Sequence, residues 1–179
     1  MLRRENNYAF IDGQNLYLGI KALGWRLDYQ KFRRYLREKY SVNKAYLFIG
    51  YIATNESLYQ KLVIADFILV FKPVISGSDG KRKGNIDADL VVKAMAELDQ
   101  YDKALIVSGD GDFYSLVGYL QSLGKLRAVL SPNLNGCSRL LRETTASGKI
   151  WFMDHLRLHL EHSNKKYTLS DVPFKKGTA

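Results

Sequence analysis

Short apolar runs that alternate with helix-periodic segments limit the fold of this chain more than any other feature of its sequence. Residues 8–11 and 104–107 are apolar runs of strand length, and aspartates close them at Asp12 and Asp110. Strands that alternate with helices need crossover connections, which produce a mainly parallel sheet. Further strands are expected at 44–52, 68–75, 126–130 and 149–152. The alternation therefore predicts an α/β fold.

Helices are expected where aspartate or asparagine precedes a periodic segment, because these side chains cap the free amides at a helix start. Asp112 precedes a segment with an apolar helical face and is expected to cap it. Residues 13–15 are expected to form a turn, and residues 76–84 a basic loop or hairpin. The other expected helices run from Asp28 to Lys39, after Asn55, over 86–98 after Asn85, near 138–143 and from Asp154.

Length and composition favour one domain. The chain has 179 residues, 46% of them apolar, which is enough for one ordinary core. We expect the domain to span residues 1–162, followed by a basic, flexible tail at 163–179. No apolar stretch approaches the roughly 20 residues that span a bilayer, and the N-terminus does not resemble a signal peptide, so a cytoplasmic location is expected. A single cysteine, Cys137, excludes an intrachain disulfide and a zinc site built from cysteines.

The charge balance points to a polyanionic partner. The chain carries 27 basic and 18 acidic side chains, for a formal net charge of +9, which favours nucleic acid such as RNA. The basic side chains expected to hold this substrate are Lys81, Arg82 and Lys83 in the glycine-flanked loop, together with Arg139 and Arg142. For each cluster taken alone, an ordinary solvated face remains an alternative.

Three aspartates are expected to meet at one edge of the sheet. Asp12 and Asp110 both follow strands, and the carboxyl ends of parallel strands emerge on the same edge. Asp87 lies in the first turn of its helix on the apolar side, whereas Asp89 can pair with Lys93 four residues on. Converging carboxylates repel one another unless a divalent cation lies between them. Oxygen ligands favour Mg²⁺ or Mn²⁺ over zinc.

Three polar residues beside these acids are further candidates. Asn15, three residues after Asp12, can position a phosphate or a water, and Ser108 can do the same from the opposite strand. Asp112 borders the same site. Two structural explanations stay open: Asp87 as an acid that the helix dipole favours, and Asp112 as a helix cap only.

Other classes of acidic or metal site fit the sequence poorly. A haloacid-dehalogenase-like phosphatase needs a second aspartate two residues after its first, and this position is Gln14. An EF-hand loop would need glycine at its sixth position and glutamate at its twelfth, where this chain has Ser115 and Gln121. His155 and His159 have the spacing of zinc ligands, but no cysteine lies near them and no glutamate follows His155. Surface histidines are expected instead.

Four segments, in their order and spacing, resemble a known family: "FIDGQNLY", "FKPV", "KGNIDADLV" and "VSGDGDFYSLVGYLQSLGK". Over about residues 7–155 they are similar to the NYN domain, a member of the PIN-like nuclease superfamily. The resemblance implies a Rossmann-like three-layer α/β/α sandwich and metal-dependent cleavage of RNA. It makes Asp12, Asp87, Asp110 and Asp112 metal-site acids, with Asn15 and Ser108 beside them. The chain departs from the family pattern at Lys93, where many members carry a further aspartate.

The sequence therefore predicts a metal-dependent ribonuclease that hydrolyses phosphodiester bonds with carboxylate-bound Mg²⁺ or Mn²⁺. The expected catalytic group is Asp12, Asn15, Asp87, Asp110 and Asp112. The alternative is a module on the same fold that binds RNA or a protein without cutting it. A protein partner or a second copy of the chain remains open.

Overall fold

The computed structural model describes residues 5–72, 75–76, 82–83 and 86–162, without the side chains of 75–76, 82–83 and 86. Its main sheet has six strands, all parallel. They are β1 (Asn7–Asp12), β2 (Val42–Gly50), β3 (Ile68–Lys72), β6 (Ala104–Val107), β7 (Leu126–Ser131) and β8 (Ile150–Phe152). Two short strands, β4 (Ile75–Ser76) and β5 (Arg82–Lys83), form a separate antiparallel pair. The predicted α/β fold with a mainly parallel sheet is confirmed.

Seven α-helices are found in the described residues: α1 (Gly13–Ala22), α2 (Tyr29–Tyr40), α3 (Glu56–Ile64), α4 (Ile86–Ala96), α5 (Tyr114–Ser122), α6 (Arg139–Thr144) and α7 (Arg157–Leu160). They form two layers, because alternate side chains of each strand point to opposite faces. In β1, Ala9 and Ile11 pack in the core with α1 and α2, while Tyr8 and Phe10 pack in the core with α4 and α5. The result is a three-layer α/β/α sandwich.

The strand order places the ends of β1 and β6 side by side. The order is β3-β2-β1-β6-β7-β8. The first three strands of the chain therefore follow one another from β1 toward one edge of the sheet, and the last three follow one another from β6 toward the other edge. Ile11 of β1 is in register with Val107 of β6. In open parallel sheets, ligands bind outside the carboxyl ends of the strands at such a switch point. The residues that follow Ile11 and Val107 therefore occupy the position expected for a site.

Several predicted boundaries are wrong. The strand expected over 68–75 ends at Lys72, and Ile75–Ser76 pairs instead with Arg82–Lys83. Proline at position 73 has no N–H with which to continue a ladder. The helix expected to run to Leu98 ends at Ala96, and the last helix is a 3₁₀ turn followed by the four residues of α7.

The predicted caps have mixed outcomes. Asp28 caps α2, since its Oδ1 accepts the N–H groups of Gln30 and Lys31, each at 3.0 Å. Asn55 makes no side-chain cap bond because a 3₁₀ turn precedes α3. Asn85 lies outside the described residues. No helix in the described part of the chain is long and apolar enough to cross a membrane.

Candidate active site

Asp12 stands at the joint between β1 and α1. No turn separates the two elements, contrary to the expected turn at 13–15, because α1 begins at Gly13 with Asp12 as its N-cap. Glycine permits this close joint, since a Cβ at position 13 would lie 2.8 Å from the carbonyl oxygen of Phe48 and against the side chain of Ile49. The sheet and the helix start thus fix where Asp12 lies.

The Asp12 carboxylate is buried and held on both oxygens. Its Oδ1 accepts the N–H of Asn15 at 3.0 Å, and its Oδ2 accepts the hydroxyl of Ser108 at 3.2 Å. Only 5% of the residue is exposed. Burial raises its pKa, the charge of Asp110 raises it further, and the two hydrogen bonds oppose the rise. A buried carboxylate beside another acid is suited to binding a cation.

Hydrogen bonds that the side chains of Asn15 and Ser108 make connect the β1–α1 joint to the loop after β6. The carboxamide oxygen of Asn15 accepts the N–H of Gly109 at 2.8 Å. The hydroxyl oxygen of Ser108 accepts the N–H of Asp110 at 3.0 Å while its proton goes to Asp12. Ser108 is fully buried. These two side chains hold the strand ends together and set the position of Asp110 relative to Asp12.

Asp110 is the capping residue of the next turn. Its Oδ1 accepts the N–H of Asp112 at 3.0 Å, at the start of a 3₁₀ turn over Gly111–Phe113. Helix α5 begins only at Tyr114 and has no side-chain cap. The prediction that Asp112 caps this helix is therefore wrong, because the 3₁₀ turn places Asp110 at the start of the helical segment. Asp112 is exposed.

Asp87 approaches the other acids from α4. The helix packs on β1 and β2 through the buried Leu90 and Ala94, which places its first turn over the strand ends. Burial raises the pKa of Asp87, and the charges of Asp12, Asp110 and Asp112 raise it further, whereas Lys72 lowers it. The four aspartates are therefore electrostatic neighbours, although they are distant in sequence.

Lys93, where the family pattern often carries an acid, has a structural role. Its ammonium lies 2.7 Å from Oε1 of Glu97 and 4.9 Å from the ring centroid of Tyr46. The expected pairing of Lys93 with Asp89 is therefore wrong, since the ammonium pairs instead with Glu97, directly after the end of α4. Asp89 is exposed.

A cleft of about 540 Å³ opens at these strand ends. Four of the predicted site residues line it, namely Asp12, Asn15, Asp87 and Asp110. Ser108 lies buried behind Asp12, and Asp112 borders the site without lining the cleft. The remaining lining residues are Gln14, Leu18, Gly19, Ala22, Lys72, Ser131, Pro132, Asn133 and Gly136.

Lys72 lines the cleft although it was not among the site residues predicted from the sequence. It ends β3. The strand-end argument that selected Asp12 and Asp110 could have found it, because Lys72 also closes an apolar run. No comparable feature of the sequence indicated that Ser131 and Asn133 would line the cleft.

The predicted substrate-binding arginines flank the cleft without lining it. Helix α6 packs on the Gly111–Phe113 turn, and the N–H of Ser138 donates to the carbonyl of Gly109 at 2.8 Å. Arg139 and Arg142 are exposed on this helix, and Arg139 pairs with Glu143 at 2.6 Å. Lys81 and the side chains of Arg82 and Lys83 lie outside the described residues.

The donor set fits a hydrated hard cation better than a closed metal cage. Within residues 5–72 and 86–162, no three Asp, Glu, His or Cys side chains are grouped closely enough to hold an ion directly. Asp12, Asp87 and Asp110 nevertheless share one cleft, and repulsion among them raises the pKa of Asp87. Mg²⁺ usually keeps several waters and takes only one or two carboxylates. His155, His159 and His162 are exposed, as predicted, and Cys137 is buried.

Known proteins match both the sequence and the fold. The family model of the NYN domain matches residues 8–145, which is more than half of the chain. Low amplitude and bright protein LabA of Synechococcus elongatus is 26% identical over an alignment of 123 residues. The match covers 63% of this chain and 66% of LabA, just under two thirds. The crystal structure of a protein of unknown function from Vibrio parahaemolyticus superposes with a TM-score of 0.72 at 23% identity. That match covers 86% of this chain and 95% of the other, and it concerns the fold alone.

Proposed function

This chain belongs to the NYN domain family, and from that membership we propose that it is a metal-dependent ribonuclease acting at the cleft between β1 and β6. The observation that carries the proposal is the convergence of Asp12, Asp87 and Asp110 on this cleft with Lys72 beside them. Burial and neighbouring charges raise the pKa of Asp12 and of Asp87, and clustered acids with such shifts in a cleft are typical of functional sites. The net charge of +9 supports a nucleic-acid substrate.

Asp12, Asp87 and Asp110 would hold hydrated Mg²⁺ or Mn²⁺, with one or two of the carboxylates bound directly and the rest through the waters of the ion. Such an ion, when bound, activates a water and neutralises the charge that develops on the phosphate. In the hydrolysis, the water oxygen forms a bond to phosphorus, the bond to one ester oxygen breaks, and the leaving sugar oxygen takes up a proton. The acids would lie close to the phosphate that is cut, because the cation they hold would act on that phosphate.

The other side chains have positioning and binding roles. Ser108 and Asn15 are positioning residues, since they fix Asp12 against the loop that carries Asp110. The side-chain Nδ2 of Asn15 can donate a hydrogen bond to a phosphate oxygen. Lys72 is placed to pair with a phosphate of the bound strand, because it lines the cleft on the side of Asp87. Asp112 adds negative charge at the rim.

A cleavage assay tests the proposal. Purified protein is incubated with single-stranded and structured RNA in Mg²⁺, in Mn²⁺ and in EDTA, and the products are separated by length. We expect hydrolysis that needs the metal and that falls at least 100-fold in Asp110→Asn, of the order seen when electrostatic stabilisation of a transition state is lost. The matched control is Asp89→Asn, an exposed acid outside the cleft, which should cut at the wild-type rate.

Two outcomes would contradict the proposal. RNA binding without hydrolysis in either metal would make the chain a binding module instead. Full activity of Asp110→Asn would remove the cleft acids from the reaction.

A further inference from the structure

The cleft extends beyond the acids along one face of α1. Asn15, Leu18, Gly19 and Ala22 recur at helical spacing and all line it. At 1.5 Å of rise per residue, the seven steps from Asn15 to Ala22 extend this wall about 10 Å away from the acids. The cleft therefore has an acidic end and an extension over α1.

The loop after β7 also lines the extension, and it packs directly against α1. The Nδ2 of Asn133 donates to the carbonyl of Gly19 at 2.9 Å, while its Oδ1 accepts the N–H of Gly136. Glycine at position 19 makes the approach possible, because a Cβ there would overlap Pro132. Asn133 is only 7% exposed, and Ser131 and Pro132 are buried as well.

The extension differs in chemistry from the acidic end. Among the described lining residues, the charged ones are Asp12, Lys72, Asp87 and Asp110, and none lies on α1 or on the loop after β7. The extension is lined instead by uncharged residues, of which Leu18 and Ala22 are apolar and exposed, while Pro132 is buried against Gly19. Leu18 is 50% exposed, so a ligand with an apolar face would gain by covering it.

We propose that the exposed surface of Leu18 and Ala22, beside the buried Pro132, is a binding site for one unpaired nucleobase, next to the phosphate that the acids face. This inference rests on the proposed function. The occupant must be uncharged with apolar faces, and it must belong to a molecule whose phosphate lies about one nucleotide away at the acidic end. A base in a single strand meets these conditions. A base within a duplex does not, because its faces are covered by its neighbours.

The site selects single-stranded nucleic acid by contact with a base, and the acids need not contribute to that selection. Gln14 lines the same cleft and is exposed, so its amide offers a donor and an acceptor to the edge of the bound base. A cleft of about 540 Å³ is within the usual range for one small ligand. The chain should therefore bind single strands more tightly than the matching duplex.

Abasic scanning tests this site. The probe is a labelled oligoadenylate RNA of eight nucleotides, together with a set in which one base at a time is removed, and binding is measured by fluorescence anisotropy in EDTA so that no strand is cut. In the wild type, we expect loss of one particular base to weaken binding about five- to tenfold, as when a single base loses its stacking partner. Loss of the other bases should have smaller effects.

A double-mutant cycle assigns that base to Leu18. Leu18→Ala should weaken binding of the intact strand by a similar factor, and removing the sensitive base should then cause little further loss. Leu58→Ala, which truncates a leucine 40% exposed on α3 and outside the cleft, is the matched control and should bind as wild type does. Circular dichroism and urea unfolding confirm that the variants are folded.

The outcomes separate this inference from the proposed function. The base site alone is overturned if RNA is cut normally but removal of each base weakens binding equally. It is likewise overturned if RNA is cut normally but Leu18→Ala binds RNA as tightly as Leu58→Ala does. Equal affinity for the single strand and the duplex also overturns it. A position-specific loss without any cleavage in metal supports the base site and overturns the ribonuclease. Absence of RNA binding overturns both.

Discussion

Asp110 combines two roles in one side chain, and they can be separated by substitution. Its carboxylate lines the cleft and also accepts the N–H of Asp112 at the turn. Asparagine can still cap, so Asp110→Asn should keep or slightly raise the free energy of unfolding without metal, because repulsion with Asp12 and Asp87 is relieved. Asp110→Ala should lose about 0.5–2 kcal/mol. Urea unfolding in EDTA measures both.

Asp112 is the matched control for this capping argument. It is exposed and caps nothing, so Asp112→Ala should change the free energy of unfolding by less than about 0.5 kcal/mol. If Asp112→Ala costs as much as Asp110→Ala, the assignment of the cap to Asp110 is wrong.

Asp12 should make the stability of the metal-free protein depend on pH. Burial and the charge of Asp110 raise its pKa in the folded state, so the folded protein holds this proton more tightly than the unfolded chain does. Ionised Asp12 therefore destabilises the fold above the raised pKa, and this cost disappears as the pH falls toward the ordinary pKa. Asp87 contributes with the same sign.

The test compares Asp12→Asn with wild type in EDTA by urea unfolding between pH 7.5 and 4. Asparagine keeps the cap on α1 but puts an NH2 group where Oδ2 accepts the hydroxyl of Ser108, a loss that does not vary with pH. The stability of the variant relative to wild type should therefore be highest at neutral pH and should decrease as the pH falls. Glu5, Glu97 and Glu161, whose pKa values are lowered, affect both proteins alike and cancel in the difference. An advantage that does not vary with pH would show that Asp12 ionises without cost.

At the scale of elements, two glycines in helices should respond to alanine with opposite signs. Gly13 starts α1 against the backbone of β2, where a Cβ would lie 2.8 Å from a carbonyl oxygen. Gly13→Ala should therefore destabilise the protein by about 1–3 kcal/mol through overpacking. Gly118 lies within α5, where a Cβ would meet only Thr144 at 3.6 Å. Gly118→Ala should stabilise by about 0.5–1 kcal/mol. Chemical unfolding measures the free energy of unfolding of both variants. If Gly13→Ala leaves it unchanged, α1 can shift away from β2.

Helix and strand starts were predictable where one local interaction dominates, and were missed where two turns compete. Asp28 caps α2 as predicted because its neighbours enter the helix directly. At Asn55, α3 begins at Glu56 as predicted, but the side-chain cap bond is absent. After Asp110, a 3₁₀ turn over Gly111–Phe113 delays the start of α5 to Tyr114. A 3₁₀ turn and an α-helix use nearly the same backbone angles, so periodicity does not distinguish them.

At the scale of the whole molecule, metal should stabilise the fold. The proposed cation would bind where folding brings three acids together, and the unfolded chain has no such site, so binding would add RT ln(1 + [L]/Kd) to the free energy of unfolding. Scanning fluorimetry should show a rise in melting temperature with millimolar Mn²⁺ or Mg²⁺. Asp12→Asn should abolish the rise, and Asp89→Asn should keep it. An unchanged melting temperature in wild type, with no heat of binding by calorimetry, would contradict the metal site.

The sequence by itself determined the strands, the alternation that makes the sheet parallel, and the positions of Asp12 and Asp110 at strand ends. These features follow from the period of apolar residues and from the rule that parallel strands share a carboxyl edge. The tertiary structure alone decided which distant groups meet. It placed Lys72 and Ser131 in the cleft, bonded Asn15 to Gly109, and joined Asn133 to Gly19. The physical reason is that periodicity is local, whereas these contacts depend on the order of strands in the sheet and on how closely two backbones can approach.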